Sequence, residues 1–168
     1  MVKRSRIAAL VITVSLVAMS SVFSPALAVE EFFAAKLKPG NETPVTLSTT
    51  GSGVFAAVLD SSETSLSFLL DYSGLEGGGV TAAHIHLGQA GITGGIVIHF
   101  CGTGGRPPCP ASGLVNLTVT AADVVAVPAQ GIAAGEFAEV VRAMRRGEAY
   151  VNVHTTTFPG GEIRGQVQ

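Results

Sequence analysis

Three histidines carry the clearest chemistry in this sequence. His84 and His86 form a His-x-His pair, and His154 follows in a late alternating stretch. In a β-strand, side chains two residues apart share a face and lie roughly 6.5–7 Å apart, so both imidazole rings can lean toward one point. A histidine on a neighbouring strand, about 4.8 Å away, would complete a site with three nitrogen ligands. Neutral imidazoles bind copper, zinc and nickel, so the pattern predicts a metal site, with copper favoured over zinc.

Two further points about the histidines stay open. All of them can instead be polar residues on the exposed face of a sheet, with no metal bound. His99 is a fourth candidate ligand, because a symmetric hairpin closed by Gly88–Gly95 would pair Leu87 with Ile96 and place His84 opposite His99. That register is an assumption about the loop.

Short strands separated by glycine-rich turns must position these residues. Apolar side chains at i, i+3, i+4 and i+7 predict one helix at Glu136–Arg146, and a weaker helical turn is expected near Ala121–Ala126. The pattern lacks alternating strand and helix units, so it predicts an all-β fold with one short helix, an antiparallel sandwich of about eight strands. The predicted strands are Glu31–Lys38, Gly51–Leu59, Thr64–Tyr72, Val80–Leu87, Ile96–Cys101, Gly113–Thr120, Glu148–Thr155 and Gly161–Val167.

The first 28 residues have the composition of a secretory signal peptide. Basic residues stand at positions 3, 4 and 6, an apolar run extends from Ile7 to about Val17, and Ala26-Leu27-Ala28 is a small-x-small cleavage site. We expect cleavage after Ala28, which leaves residues 29–168 as one secreted or periplasmic domain.

The charge of that domain argues against two classes of partner. Residues 1–28 contain three of the ten basic residues and none of the twelve acidic ones, so cleavage changes the formal net charge from −2 to −5. An acidic domain is poorly matched to nucleic acid or to an anionic membrane surface. No apolar run after residue 28 is long enough to span a bilayer, so the partner to consider is an unidentified extracellular or periplasmic protein.

Cys101 and Cys109 are the two cysteines of the chain. In an exported protein, two cysteines flanking a loop of glycine and proline predict a disulfide. Closing a loop of this size stabilises the fold by roughly 2.5 kcal/mol through the entropy of the unfolded chain. The alternative, a pair of thiolate metal ligands, is less favoured because the chain has no second cysteine pair.

Two groups of motifs together resemble the chordin-type (CHRD) domain. The first group is Thr81–His86 with the glycines that follow it, and the second comprises Gly147–Thr155 and Pro159–Gly165. The resemblance covers about Phe32–Gln168. Domains of this family occur in chordin, an extracellular binder of bone morphogenetic proteins, and in exported single-domain bacterial proteins. The family is also distantly similar to copper–zinc superoxide dismutase.

This resemblance implies a Greek-key sandwich like that of superoxide dismutase, with His84, His86 and His154 as copper ligands. The zinc half of the dismutase site is not matched, because it needs further histidines and this chain has four in all. The leading hypothesis is therefore an exported binding protein that holds a copper-like ion. A metal-free interaction domain, with Gly88–Gly95 and Gly102–Pro110 as contact loops, is the first alternative. A copper-only, dismutase-like redox protein is the second, so enzymatic activity stays uncertain and is less favoured than binding.

Overall fold

A computed structural model describes residues 29–168; the predicted signal peptide lies outside these described residues. This part of the chain forms eight strands and one α-helix, α1, at Phe137–Arg145. Short 3-10 turns lie at Pro39–Asn41, Ala121–Asp123 and Pro128–Gln130, the second of them at the expected weak helical turn. The strands are β1 Glu31–Leu37, β2 Ser52–Leu59, β3 Ser65–Ser73, β4 Val80–Leu87, β5 Ile96–Cys101, β6 Gly113–Thr120, β7 Ala149–Thr155 and β8 Ile163–Gln166.

The eight strands form two four-stranded antiparallel sheets, in the orders β1-β2-β3-β6 and β5-β4-β7-β8. The chain crosses between the sheets after β3, β5 and β6, so β3 pairs with β6 and β4 pairs with β7. These connections give the predicted Greek-key β-sandwich. The sheets meet at one side, where Lys38 and Arg164 exchange backbone hydrogen bonds, as do Ala34 and Gln168.

Alternation along the strands builds the core between the two sheets. In β3, for example, Leu66, Phe68 and Leu70 are buried, while Ser67 and Leu69 between them point outward. The rings of Phe55, Phe68 and Phe100 pack at the centre, with centroids 4.0–5.7 Å apart. The helix α1 adds the buried stripe predicted for it, which comprises Phe137, Val140, Val141 and Met144.

The predicted register of the β4–β5 hairpin is half right. His84 does pair with His99, but Ile96 pairs with His86 and not with Leu87. A bulge between Ile85 and His86 shifts the register by one residue, so the hairpin is not symmetric. No helix within residues 29–168 is long and apolar enough to cross a membrane.

Candidate metal centre

The strands β4 and β7 bring the three predicted histidines together on the outer face of their sheet. His84 pairs with Asn152, so His154, two residues further along β7, is the diagonal neighbour of His84 on the same face. The candidate ligand nitrogens of His84, His86 and His154 all lie within 4.8 Å of one another. Their ring centroids are 4.9–6.1 Å apart. The structure therefore brings together the three side chains that the sequence pattern indicated.

This outer face is covered, which strand alternation alone does not predict. His84 is 4% exposed and His86 is 7% exposed. Side chains and carbonyl groups from three loops contact the histidines: the β4–β5 loop, the disulfide loop after β5 and the β7–β8 turn. The three rings therefore lie in a partly desolvated pocket, where water competes weakly for their nitrogen atoms.

Two backbone carbonyls fix the tautomers of two histidines. The Nδ1 of His86 lies 3.0 Å from the carbonyl oxygen of Gly94, and the Nδ1 of His154 lies 2.9 Å from that of Pro159. A carbonyl oxygen only accepts, so both Nδ1 atoms carry the proton and both Nε2 atoms carry a lone pair. The Nε2 of His86 is buried without a hydrogen-bond partner in the described part of the chain. A buried acceptor without a donor is costly, and a metal ion would satisfy it.

His84 differs because both of its nitrogens face other side chains. Its Nδ1 lies 3.2 Å from the Nε2 of His154, and its Nε2 lies 2.6 Å from the Oγ1 of Thr103. The same hydroxyl lies 2.8 Å from the Nδ1 of His99. These contacts form a chain of hydrogen bonds from His99 through Thr103 and His84 to His154.

This series of hydrogen bonds can form with the proton of His84 on either ring nitrogen. Without a metal, Thr103 donates to the Nε2 of His84, and the Nδ1 of His84 donates to the Nε2 of His154. If a metal ion were bound, the proton of His84 would be on Nε2 and would be donated to Thr103, whose own proton would go to the Nδ1 of His99. This second arrangement would leave the Nδ1 of His84 and the Nε2 of His154 free as ligands. A hydroxyl permits this reversal because it can donate or accept.

Burial keeps the cluster neutral. Desolvation, together with repulsion from the neighbouring histidines, lowers the pKa of His84 to about 3. Desolvation also lowers the pKa of His86 to about 4 and lowers the pKa of His154. Neutral imidazole is the form that binds metal, so these side chains are in the binding state at pH 7.

His99 lies outside the three-histidine group. It is less buried, its ring centroid is 5.0 Å from that of His84, and it contacts the cluster through Thr103. The structure therefore gives His99 a place beside a candidate ligand, one hydrogen bond further from the point where the three rings meet.

The sequence of this chain matches one protein family. The family model for the CHRD domain matches residues 33–167, most of the chain. The chain belongs to the CHRD domain family. No curated protein and no solved structure matches it significantly.

In this CHRD domain, an aromatic and cationic stack supports His86. The ring of Tyr150 lies parallel to that of His86, with centroids 4.8 Å apart, and the guanidinium of Arg164 lies 3.4 Å from the Tyr150 ring centroid. Arg164 also donates to the carbonyl oxygens of Gln89 and Ile92 in the β4–β5 loop. Cation–π contact and hydrogen bonds thus hold the loop whose Gly94 carbonyl orients His86.

The disulfide predicted from the sequence holds the loop that carries Thr103. Cys101 and Cys109 are bonded, with their Cα atoms 4.9 Å apart. Gly104 has a positive φ of 62°, and a Cβ there would lie 2.4 Å from the ring of His99. This glycine lets the backbone close over His99 while the Thr103 side chain points to His84.

The site predicted from the sequence does not include Thr103, Arg164 or Glu42, which the structure places near it. Glu42 is 7% exposed, and burial raises its pKa to about 7, although Arg164 and Asn152 lower it. Its carboxylate lies beside the β7–β8 turn at Gly161. Alternation along β8 puts Arg164 on the same face as the histidines, but Thr103 and Glu42 lie in loops whose course has no periodic signal.

Proposed function

We propose that this CHRD domain is an exported binding protein that holds one copper ion through His84, His86 and His154. The observation that carries the proposal is the buried Nε2 of His86, which has no hydrogen-bond partner among the described residues. His86 belongs to a group of three histidines whose candidate ligand atoms, one from each ring, lie within 4.8 Å of one another. The donor set is the Nδ1 of His84 and the Nε2 atoms of the other two.

Copper suits these residues better than zinc does. The group contains three imidazoles and no thiolate or carboxylate, and imidazole sites bind divalent copper more tightly than zinc. Catalytic zinc sites also use three histidines, so zinc is the competitor to measure. A bound copper ion would supply a redox-active centre. The protein supplies fixed, neutral rings and a pocket that excludes most water.

The test is a copper titration of purified exported protein against a chelator of known affinity. We expect one ion per chain and at least tenfold weaker binding by His154→Ala, which removes one of three ligands. His99→Ala is the matched control, because it removes a nearby histidine outside the group and should weaken binding less. Thermal unfolding of each variant separates lost ligation from lost folding.

Equal affinity of the wild-type protein and His154→Ala would refute the metal proposal. A metal-free extracellular interaction domain would then be the better hypothesis. In that case the β4–β5 loop would be the first surface to test, since Ile92 in it is 57% exposed. Superoxide dismutation is a narrower proposal, and it requires that the copper-loaded protein be active and His154→Ala inactive.

A further inference from the structure

The outer face of the other sheet is apolar and open. Phe32 is 71% exposed, Val54 50%, Leu69 40% and Leu114 51%. Scattered exposed hydrophobic residues are ordinary, but a contiguous patch on one sheet face is typical of an interaction surface. This face lies opposite the histidine cluster, so the metal proposal does not account for it.

The strand register arranges the outward side chains of β1, β2 and β3 in three rows. The middle row is almost entirely small, with two alanines followed by one leucine. A hollow of about 520 Å³ lies over these alanines, between Phe32 and Leu69. The rows, in the order β1, β2, β3, are Phe32, Val58, Ser67; then Ala34, Ala56, Leu69; then Lys36, Val54, Asp71.

We propose that this face binds a second copy of the chain, with β2 lying along the two-fold axis. A rotation of 180° about an axis parallel to β2, midway between two facing sheets, places β1 of each copy over β3 of the other in the same row. Within each row, the β2 residues then meet their own copies. Every pairing between β1 and β3 is complementary in this arrangement.

Size and charge both match across the axis. Phe32 meets Ser67, and Leu69 enters the hollow over Ala34. Lys36 meets Asp71 twice, once on each side. Neither of these charged residues forms an ion pair within residues 29–168. Within one copy, Val54 separates them in the register, so their natural partners lie on the second copy.

The size of the face sets the expected affinity. Three strands of seven residues span about 23 Å by 14 Å, and two such faces together bury on the order of 1,000 Å² of accessible surface. That area is at the low end for specific interfaces, so we expect a dimer with a dissociation constant in the range of about 1–100 μM.

The test is sedimentation of the purified exported protein over a range of concentrations from micromolar to millimolar. We expect a monomer–dimer equilibrium in the wild type and at least tenfold weaker dimerisation in Leu69→Ser. Ile92→Ser is the matched control, since it removes an exposed apolar side chain from a different face and should leave dimerisation unchanged. A wild type that stays monomeric throughout would overturn the proposal.

Charge reversal distinguishes self-pairing from binding of another partner. Lys36→Asp and Asp71→Lys should each weaken homodimers at least tenfold, since each creates two like-charge contacts. Mixing the two variants should restore dimers, because both charged pairs are opposite in sign in the heterodimer. The double variant should also dimerise. Failure of the mixture to dimerise more than either variant alone would refute this arrangement.

Discussion

Replacing Thr103 with valine should separate metal affinity from overall packing. Valine has nearly the same shape as threonine, but it neither donates nor accepts a hydrogen bond. The change removes contacts of 2.6 Å to the Nε2 of His84 and 2.8 Å to the Nδ1 of His99. Without the hydroxyl, the proton of His84 is best placed on Nδ1, where it can be donated to His154. That tautomer blocks the ligand atom of His84.

The magnitude follows from the cost of the other tautomer. A metal ion requires the proton of His84 on Nε2, and in the valine variant this buried donor has no acceptor. Leaving a buried polar group unpaired costs about 1–3 kcal/mol. A supporting hydrogen bond to a ligand histidine is worth about 10–100-fold in metal affinity, which is a similar free energy. We therefore expect copper binding to weaken by about 10–100-fold.

Two measurements check this expectation. Competitive copper titration gives the affinity, and Thr103→Ser is the matched control, because its hydroxyl should restore most of it. Nitrogen-15 NMR of the histidine rings gives the tautomers, with diamagnetic zinc in place of copper. His84 in the wild type should move its proton from Nδ1 to Nε2 when metal binds. Wild-type affinity in Thr103→Val, or an unchanged tautomer of His84, would refute the reasoning.

Three other predictions concern stability. First, the pKa values of His84 and His86 lie below their ordinary value of 6.5. Between about pH 7.5 and pH 5 the unfolded chain therefore binds more protons than the folded chain. The free energy of unfolding falls as the pH drops over this range, by about 2 kcal/mol for each histidine. The raised pKa of Glu42 has the opposite effect and offsets about 2 kcal/mol of this loss over the same pH range. The free energy of unfolding of metal-free Glu42→Gln, measured with urea, should therefore depend more steeply on pH than that of the wild type. An equal dependence on pH in the two proteins would contradict this prediction. Second, Glu162 is fully buried and accepts hydrogen bonds from the backbone amides of Glu76 and Gly77 and from the hydroxyl of Thr155. Glu162→Ala would leave these donors unpaired and should lower the free energy of unfolding by about 3–5 kcal/mol. A loss below about 1 kcal/mol would show that these hydrogen bonds contribute little to stability. Third, truncation after Gly160 removes β8 and the buried Ile163 and Val167, so the truncated chain should show no cooperative thermal transition by circular dichroism, whereas a sharp melt would contradict this.

The sequence by itself determined the strands and the facing of their side chains. The bounds of β4, β5 and β6 are those predicted, and the single helix lies within its predicted range. Periodicity suffices for this because a strand repeats every two residues and a helix every 3.6, whatever lies beyond. Strand periodicity also predicts the shared face of His84 and His86. The disulfide between Cys101 and Cys109 follows from another local feature, two cysteines that flank a short loop.

Only the tertiary structure decided that the histidine face is buried and which groups surround it. Thr103 reaches His84 because the disulfide loop folds back over the sheet. Arg164 is 2% exposed because its guanidinium stacks on Tyr150 and binds carbonyl groups of a distant loop. Both contacts join segments far apart along the chain, and the paths of irregular loops leave no period in the sequence.

The bulge in β4 shows the same limit at the scale of one residue. Alternation predicts a regular hairpin, yet Ile96 lies opposite His86. The loop must bring the carbonyl of Gly94 to the Nδ1 of His86, and a Cβ on Gly94 would lie 1.5 Å from the carbonyl oxygen of Leu87. The register is therefore set by packing between the loop and the sheet, which local sequence does not encode.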